Sequence, residues 1–191
     1  MNPYDLAKRI TSLDATNENE ACLTTFAFGA TYALARAKEL GYTDRGLHDN
    51  WKDRVKEARL LASNLHSPKR NRLEKDNKWL AGFHFNNALF RTDVGFERVT
   101  RHIALDATKK DDRKTLSDKA RKAGLARDLI IPWKRLRDEV NDMKHHNAEL
   151  FKKDRMSYQE AIEALDRLIR AIQWCFEQPS DWKKQRAGRV H

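Results

Sequence analysis

Arg137, Asn141 and His145 recur at intervals of four residues. On a helix, with about 3.6 residues per turn, they line one stripe. These residue types suit work on a phosphodiester. Arginine binds a phosphate through two donors at once. Histidine moves protons near neutral pH. Asparagine can orient either of them by hydrogen bonding. The stripe flanks an apolar one made of Leu136, Val140 and Met143. Residues at the edge of a buried seam are held by packing yet can still reach a cleft.

A second reading of the same residues needs no ligand. Charged helix flanks are common, and Asp138, Glu139 and Asp142 lie close enough in sequence to pair with Arg137 and Lys144. His146 is an alternative to His145, because it shares a neighbouring stripe with Asp138 and Asp142. One of the two histidines can simply face solvent at a helix C-terminus, where a cation is favourable. Three further segments carry concentrated positive charge: Lys69, Arg70 and Arg72; the Lys109–Lys122 region with Lys109, Lys110, Arg113 and Lys114; and a tail with Lys183 and Lys184. Each could contact phosphates or be a solvated face. Aromatic residues do not interleave the first two, so base stacking is not indicated there.

The chain has 191 residues, 38 Lys or Arg against 28 Asp or Glu, and a formal charge of +10. That balance points toward polyanions, with nucleic acid first and an acidic protein partner second; a soluble protein that merely happens to be basic is the alternative. With 40% hydrophobic residues the chain can build one core, so a single domain over residues 1–191 is expected. Its parts would be N-terminal helices over 1–70, a core over 76–177 and a basic tail over 180–191. Cys22 and Cys175 are too few for a disulfide framework. Both lie in apolar helical stretches, where buried thiols of a cytoplasmic protein are expected. The N-terminus shows no apolar signal core, and no stretch reaches the ~18–20 apolar residues that cross a bilayer. Phosphate-binding loops, dinucleotide fingerprints, paired Cys-x-x-Cys and His-Glu-x-x-His motifs are absent, so no metal or cofactor is expected.

The elements that must position these residues read as helices. Gly numbers 7 and Pro 4, and every proline falls at an expected helix boundary. The pattern predicts an all-α bundle of six or seven helices. Pro3 opens a first helix to about Leu13. A second runs from Asn17 to Leu40 and is capped by Gly41. A third covers His48 to Leu65, before a polar connection. A long central helix from Asp76 to Leu105 carries two apolar stripes, Trp79-Phe83-Phe90-Val94 and Phe85-Leu89-Phe96-Val99-Ile103, with Gly82 and Gly95 allowing close approach. On it, His84 reads as a core histidine and Glu97–Arg101 as an ion pair, while Arg91 can line a cleft. A short basic helix ends at Gly124. The next starts at Ile131 or Pro132 and runs to His146. A capping box at Ser157–Glu160 opens the last, with Tyr158, Ile162, Leu165, Ile169, Ile172 and Phe176 inward. Pro179 stops it before a frayed tail.

Arg137-Asp138, a downstream His145 and a following amphipathic helix, late in an all-helical chain, resemble the signature of the HEPN superfamily. The resemblance covers roughly Trp79 to Phe176. In that family four to six residues lie between the arginine and the histidine, whereas seven lie between Arg137 and His145 here. The resemblance implies a homodimeric, metal-independent endoribonuclease without cofactor, of the kind found among toxins and antiphage defence effectors. The RNA 2′-hydroxyl would attack its own phosphate and leave a cyclic phosphate end. It would assign Arg137 to charge stabilisation, Asp138 to the polar position of the motif and His145 to acid–base work. Asn141, on the same stripe, would orient them. Many members of that family are not catalytic and act as binding or assembly domains, so the alternative is a non-catalytic helical binding protein whose basic surface engages nucleic acid or an acidic protein partner.

Overall fold

The computed structural model describes residues 2–42, 77–145 and 155–186; side chains of residues 77–79, 144 and 145 are not among those described. Within them the chain forms seven helices and no strand: α1 (Pro3–Thr11), α2 (Glu18–Glu39), α3 (Asn77–Ile103), α4 (Arg113–Lys122), α5 (Arg127–His145), α6 (Tyr158–Phe176) and α7 (Ser180–Arg186). The all-α expectation holds. The expected third helix over His48–Leu65 and the basic group Lys69, Arg70 and Arg72 lie outside the described residues, as does His146. No helix among the described residues is long and apolar enough to cross a membrane.

Local chemistry starts and stops these helices. Asn2, Asn17, Asp112 and Ser157 each accept a backbone N–H of the first turn through the side chain. The Ser157–Glu160 capping box is complete in both directions. After α2 and α4 the chain turns through Gly41 and Gly124, whose φ values of 78° and 106° a side chain would resist.

The central pair is α2 and α3, packed antiparallel. A Cβ on Gly29 would lie 2.6 Å from Nη1 of Arg91, and one on Gly95 3.5 Å from Cβ of Phe26. The inward face of α2 is Ala27, Ala30, Ala33, Leu34 and Ala37, small enough for two backbones to come close. α6 crosses both helices with Ile162, Leu165, Leu168, Ile169 and Ile172 buried. Tyr158 at its start donates to the Leu34 carbonyl at 2.8 Å. Of the two stripes expected on α3, Phe85, Leu89, Phe96, Val99 and Ile103 are buried, whereas Phe90 is exposed. Stripe residues Leu136, Val140 and Met143 on α5 are buried as expected.

Three expectations need correction. First, α5 begins at Arg127, so Pro132 sits inside the helix rather than in its first turn. A proline there cannot donate to the carbonyl of residue 128. Arg167 on α6 supplies the missing donor, its guanidinium bonding the Asp128 carbonyl. Second, Cys22 is exposed; only Cys175 is buried. Third, the chain beyond Pro179 does not fray at once. Trp182 of α7 packs edge-on against Trp174 and His102. Arg186 lies 3.5 Å over the Trp182 ring and donates to the Ile103 carbonyl at 2.9 Å. Lys183 reaches the buried Glu20 at 3.5 Å. Burial works to raise the Glu20 pKa, but the hydrogen bonds from Thr16 and the Lys183 cation outweigh it and hold the carboxyl below its usual range.

Two outcomes follow from this packing. Gly95 faces Leu168, whose Cδ2 would sit 2.6 Å from an added Cβ. Gly95→Ala should lower stability by about 1–3 kcal/mol in urea unfolding, despite alanine's better helix propensity. Adding Leu168→Val should recover part of that loss, a coupling read from the double-mutant cycle. The second outcome concerns His102. Burial, then the Arg186 cation, push its pKa down to about 4, with Glu20 opposing. A histidine depressed in the folded state favours unfolding as pH falls, because the unfolded chain takes the proton first. The stability it secures is complete above about pH 6.5 and lost progressively toward pH 4. Thermal melts of wild type and His102→Gln should converge on acidification across that window.

Candidate functional site

Asp93 lies in the middle of α3 and is 0% exposed. A buried carboxylate costs several kcal/mol unless donors surround it. Here they come from two other helices. Trp133 Nε1 of α5 donates to Oδ1 at 3.0 Å. Arg137 Nη1, one turn further along α5, donates to Oδ2 at 2.9 Å. Arg113 Nη2, from the first residue of α4, donates to the same oxygen at 3.1 Å. The Arg113 guanidinium also lies 5.4 Å from the Trp133 ring centroid, within cation–π reach.

Glu97, one turn beyond Asp93, extends the cluster. It accepts from Arg113 at 3.4 Å and from Arg101 at 3.1 and 3.2 Å. Arg101 in turn holds the loop before α4 by donating to the Thr108 carbonyl at 2.7 Å. Three guanidinium groups thus meet two carboxylates, an excess of one positive charge. Burial lowers the Arg113 pKa from its ordinary value, Asp93 opposes that, and Arg137 and Arg101 add to it. Even so lowered, an arginine stays protonated. The Nε atoms of Arg113 and Arg137 are buried and find no partner among the described residues. The Arg137 side chain keeps 26% of its surface in solvent.

The residues singled out from sequence divide clearly. Arg137 and Arg113, expected in two separate groups, are brought onto one carboxylate. The partner of Arg137 is Asp93, not Asp138, Glu139 or Asp142. Asp138 is exposed. Glu139 turns to the chain entering α6 and accepts the Met156 N–H at 3.2 Å, with burial raising its pKa. Asn141 is half-buried one turn beyond Arg137, and His145 is the last residue of α5, on the same helical register. Lys109, Lys110 and Lys114 are exposed around the start of α4. Lys184 is exposed and pairs with Asp181 at 3.6 Å, while Lys183 is committed to Glu20. His84 is half-buried rather than core, with its Nδ1 buried and without a partner among the described residues. Arg91 turns away from this cluster toward α2.

Asp93 was not anticipated. Its signal was an acidic residue between Leu89 and Phe96, on a helix whose two apolar stripes required burial on most sides. Such a residue needs cationic partners from other helices.

Chemically, the α4–α5 junction offers two arginines preoriented by one carboxylate, a surplus positive charge, and a stripe leading to a histidine. That arrangement can receive a phosphate group. Among the described residues, no group of three His, Cys, Asp or Glu side chains is placed to hold a metal ion. No protein-family model, curated protein or solved structure matches this chain.

Replacing Asp93 tests the cluster. Asp93→Asn keeps the shape but removes the charge that separates Arg113 from Arg137. It should cost about 3–5 kcal/mol in urea unfolding, the range for breaking a buried ion pair. Trp133→Phe, which deletes one neutral donor, should cost less, about 1–3 kcal/mol.

Proposed function

We propose that this chain is an RNA-binding protein of the HEPN type that cleaves RNA without a metal, using the α5 face that carries Arg137, Asn141 and His145. The observation that carries the reading is the meeting of Arg137 and Arg113 on the buried Asp93. A guanidinium held from behind by a fixed carboxylate loses little freedom when a phosphate arrives in front. The surplus charge favours an anion there, and the exposed Lys109, Lys110 and Lys114 extend the positive surface along the strand's path.

In this mechanism Arg137 binds the scissile phosphate and stabilises the charge that grows on it. His145 moves the proton of the 2′-hydroxyl or of the leaving oxygen. Asn141 orients them, and Arg113 steadies a neighbouring phosphate. DNA lacks the attacking hydroxyl and should resist cleavage. A homodimer is part of this reading, as is a cytoplasmic role in toxin or defence systems.

Purified protein incubated with RNA in EDTA provides the test. Wild type should leave cyclic phosphate ends. Arg137→Lys, which keeps a cation for Asp93, and His145→Ala should each slow cleavage about 100-fold or more while melting normally. Arg113→Ala should weaken RNA binding and reduce its salt dependence by about one counterion. Binding without cleavage by well-folded wild type would reduce the assignment to a non-catalytic RNA-binding protein. A failure to bind any RNA, with an acidic protein co-purifying instead, would replace it.

A further inference from the structure

α2 is built inside out for an amphipathic helix. Its packed face is alanine-rich, whereas two large aromatics point outward: Phe28 is 49% exposed and Tyr32 63%. They stand one turn apart on either side of Gly29 in sequence. Gly29 is where Arg91 of α3 lies against α2. A Cβ there would sit 2.6 Å from Arg91 Nη1 and 3.1 Å from its Cδ, so glycine leaves a seat for the guanidinium. Asn87 fixes the group by accepting from its Nε at 3.1 Å. Among the described residues, Arg91 makes no ion pair with any carboxylate. Arg91 and Asp93 are two residues apart on α3, about 200° around the helix, so this face lies away from the Arg113–Arg137 cluster.

We propose that Phe28, Tyr32 and Arg91 form a stacking platform for single-stranded RNA. Two outward aromatic rings give bases an apolar surface, and a cation seated on the same helix at Gly29, between them in sequence and without a carboxylate partner among the described residues, suits the connecting phosphate. The chain's formal charge of +10 attracts a polyanion, and the seated Arg91 cation gives this patch the same sign. The platform rests on the RNA-binding reading above and adds a second contact surface to it.

The test is binding of a fluorescently labelled single-stranded RNA oligonucleotide, followed by anisotropy across a salt series, with photo-crosslinking and peptide mapping of the adducts. Phe28→Ala/Tyr32→Ala should weaken binding roughly tenfold or more with an unchanged salt slope. Arg91→Ala should weaken it less and lower the slope by about one. Gly29→Ala should behave like Arg91→Ala, because the new methyl displaces the guanidinium. Adducts should map to the peptide containing Phe28 and Tyr32. Phe28 and Tyr32 face outward, Gly29→Ala adds only a methyl group and Arg91→Ala removes a half-buried side chain; matching far-ultraviolet dichroism and melts will show that folding is kept.

Unchanged affinity in the aromatic double variant, beside weakened binding in Arg113→Ala, would overturn the platform and leave the RNA-binding reading standing. Weakened binding in the platform variants, with Arg113→Ala like wild type, would support the platform and count against the α4–α5 face. Absence of RNA binding by wild type would overturn both. Concentration-dependent self-association that the aromatic double variant abolishes, with RNA affinity untouched, would overturn the platform in favour of a contact between copies.

Discussion

The rest of the molecule depends on how one negative charge is kept out of water. Asp93 is in the interior of α3, and only donors reaching in from α4 and α5 make that placement tolerable. The same bonds set where α4 starts and how α5 is rotated. Arg113 and Trp133 stack on each other as they converge, and Glu97 with Arg101 carries the network to the loop that precedes α4. A hydrophobic residue at position 93 would hold these helices less specifically, since dispersion has no preferred direction and hydrogen bonds do. The arginines that neutralise the charge are the ones that give the proposed RNA-binding face its sign.

Much of the fold was legible in sequence because its signals are local. Asparagine, aspartate and serine caps, the glycines after α2 and α4, and the apolar spacing of α6 each act within a few residues. The misread features depend on partners far along the chain. Pro132 reads as a helix start until Arg167 appears beside the Asp128 carbonyl. Residues after Pro179 read as a loose basic tail until Trp182 and Arg186 are seen against α3 and α6. Cys22 reads as core because its neighbours are apolar, yet its position on α2 turns it outward.

The candidate site was half legible. The register of Arg137, Asn141 and His145 follows from helix geometry, and α5 is a helix through all three. What sequence could not supply was the neighbour. Charges close in sequence looked like natural partners for Arg137, but Asp138 faces solvent and Glu139 turns to Met156. Side-chain pairing across helices is set by tertiary rotation, which no spacing rule within one helix encodes. For the same reason Arg113 and Arg137 looked like members of different groups.

The two ends of the described chain are sewn together over long spans. Arg9 pairs with Asp166, Asn19 donates to the Arg186 carbonyl, and Tyr158 bonds the Leu34 carbonyl, separations of 157, 167 and 124 residues. α1 and α2 therefore meet several of their partners only after nearly the whole chain has left the ribosome. The alanine face of α2 can pair with α3 as soon as that helix is made, but the bonds to α6 and α7 close loops of 124 to 167 residues, and that closure carries an entropic cost before any contact rewards it. The α2–α3 pair can form early, whereas the N-terminal segment is locked down only once α6 and α7 have been made.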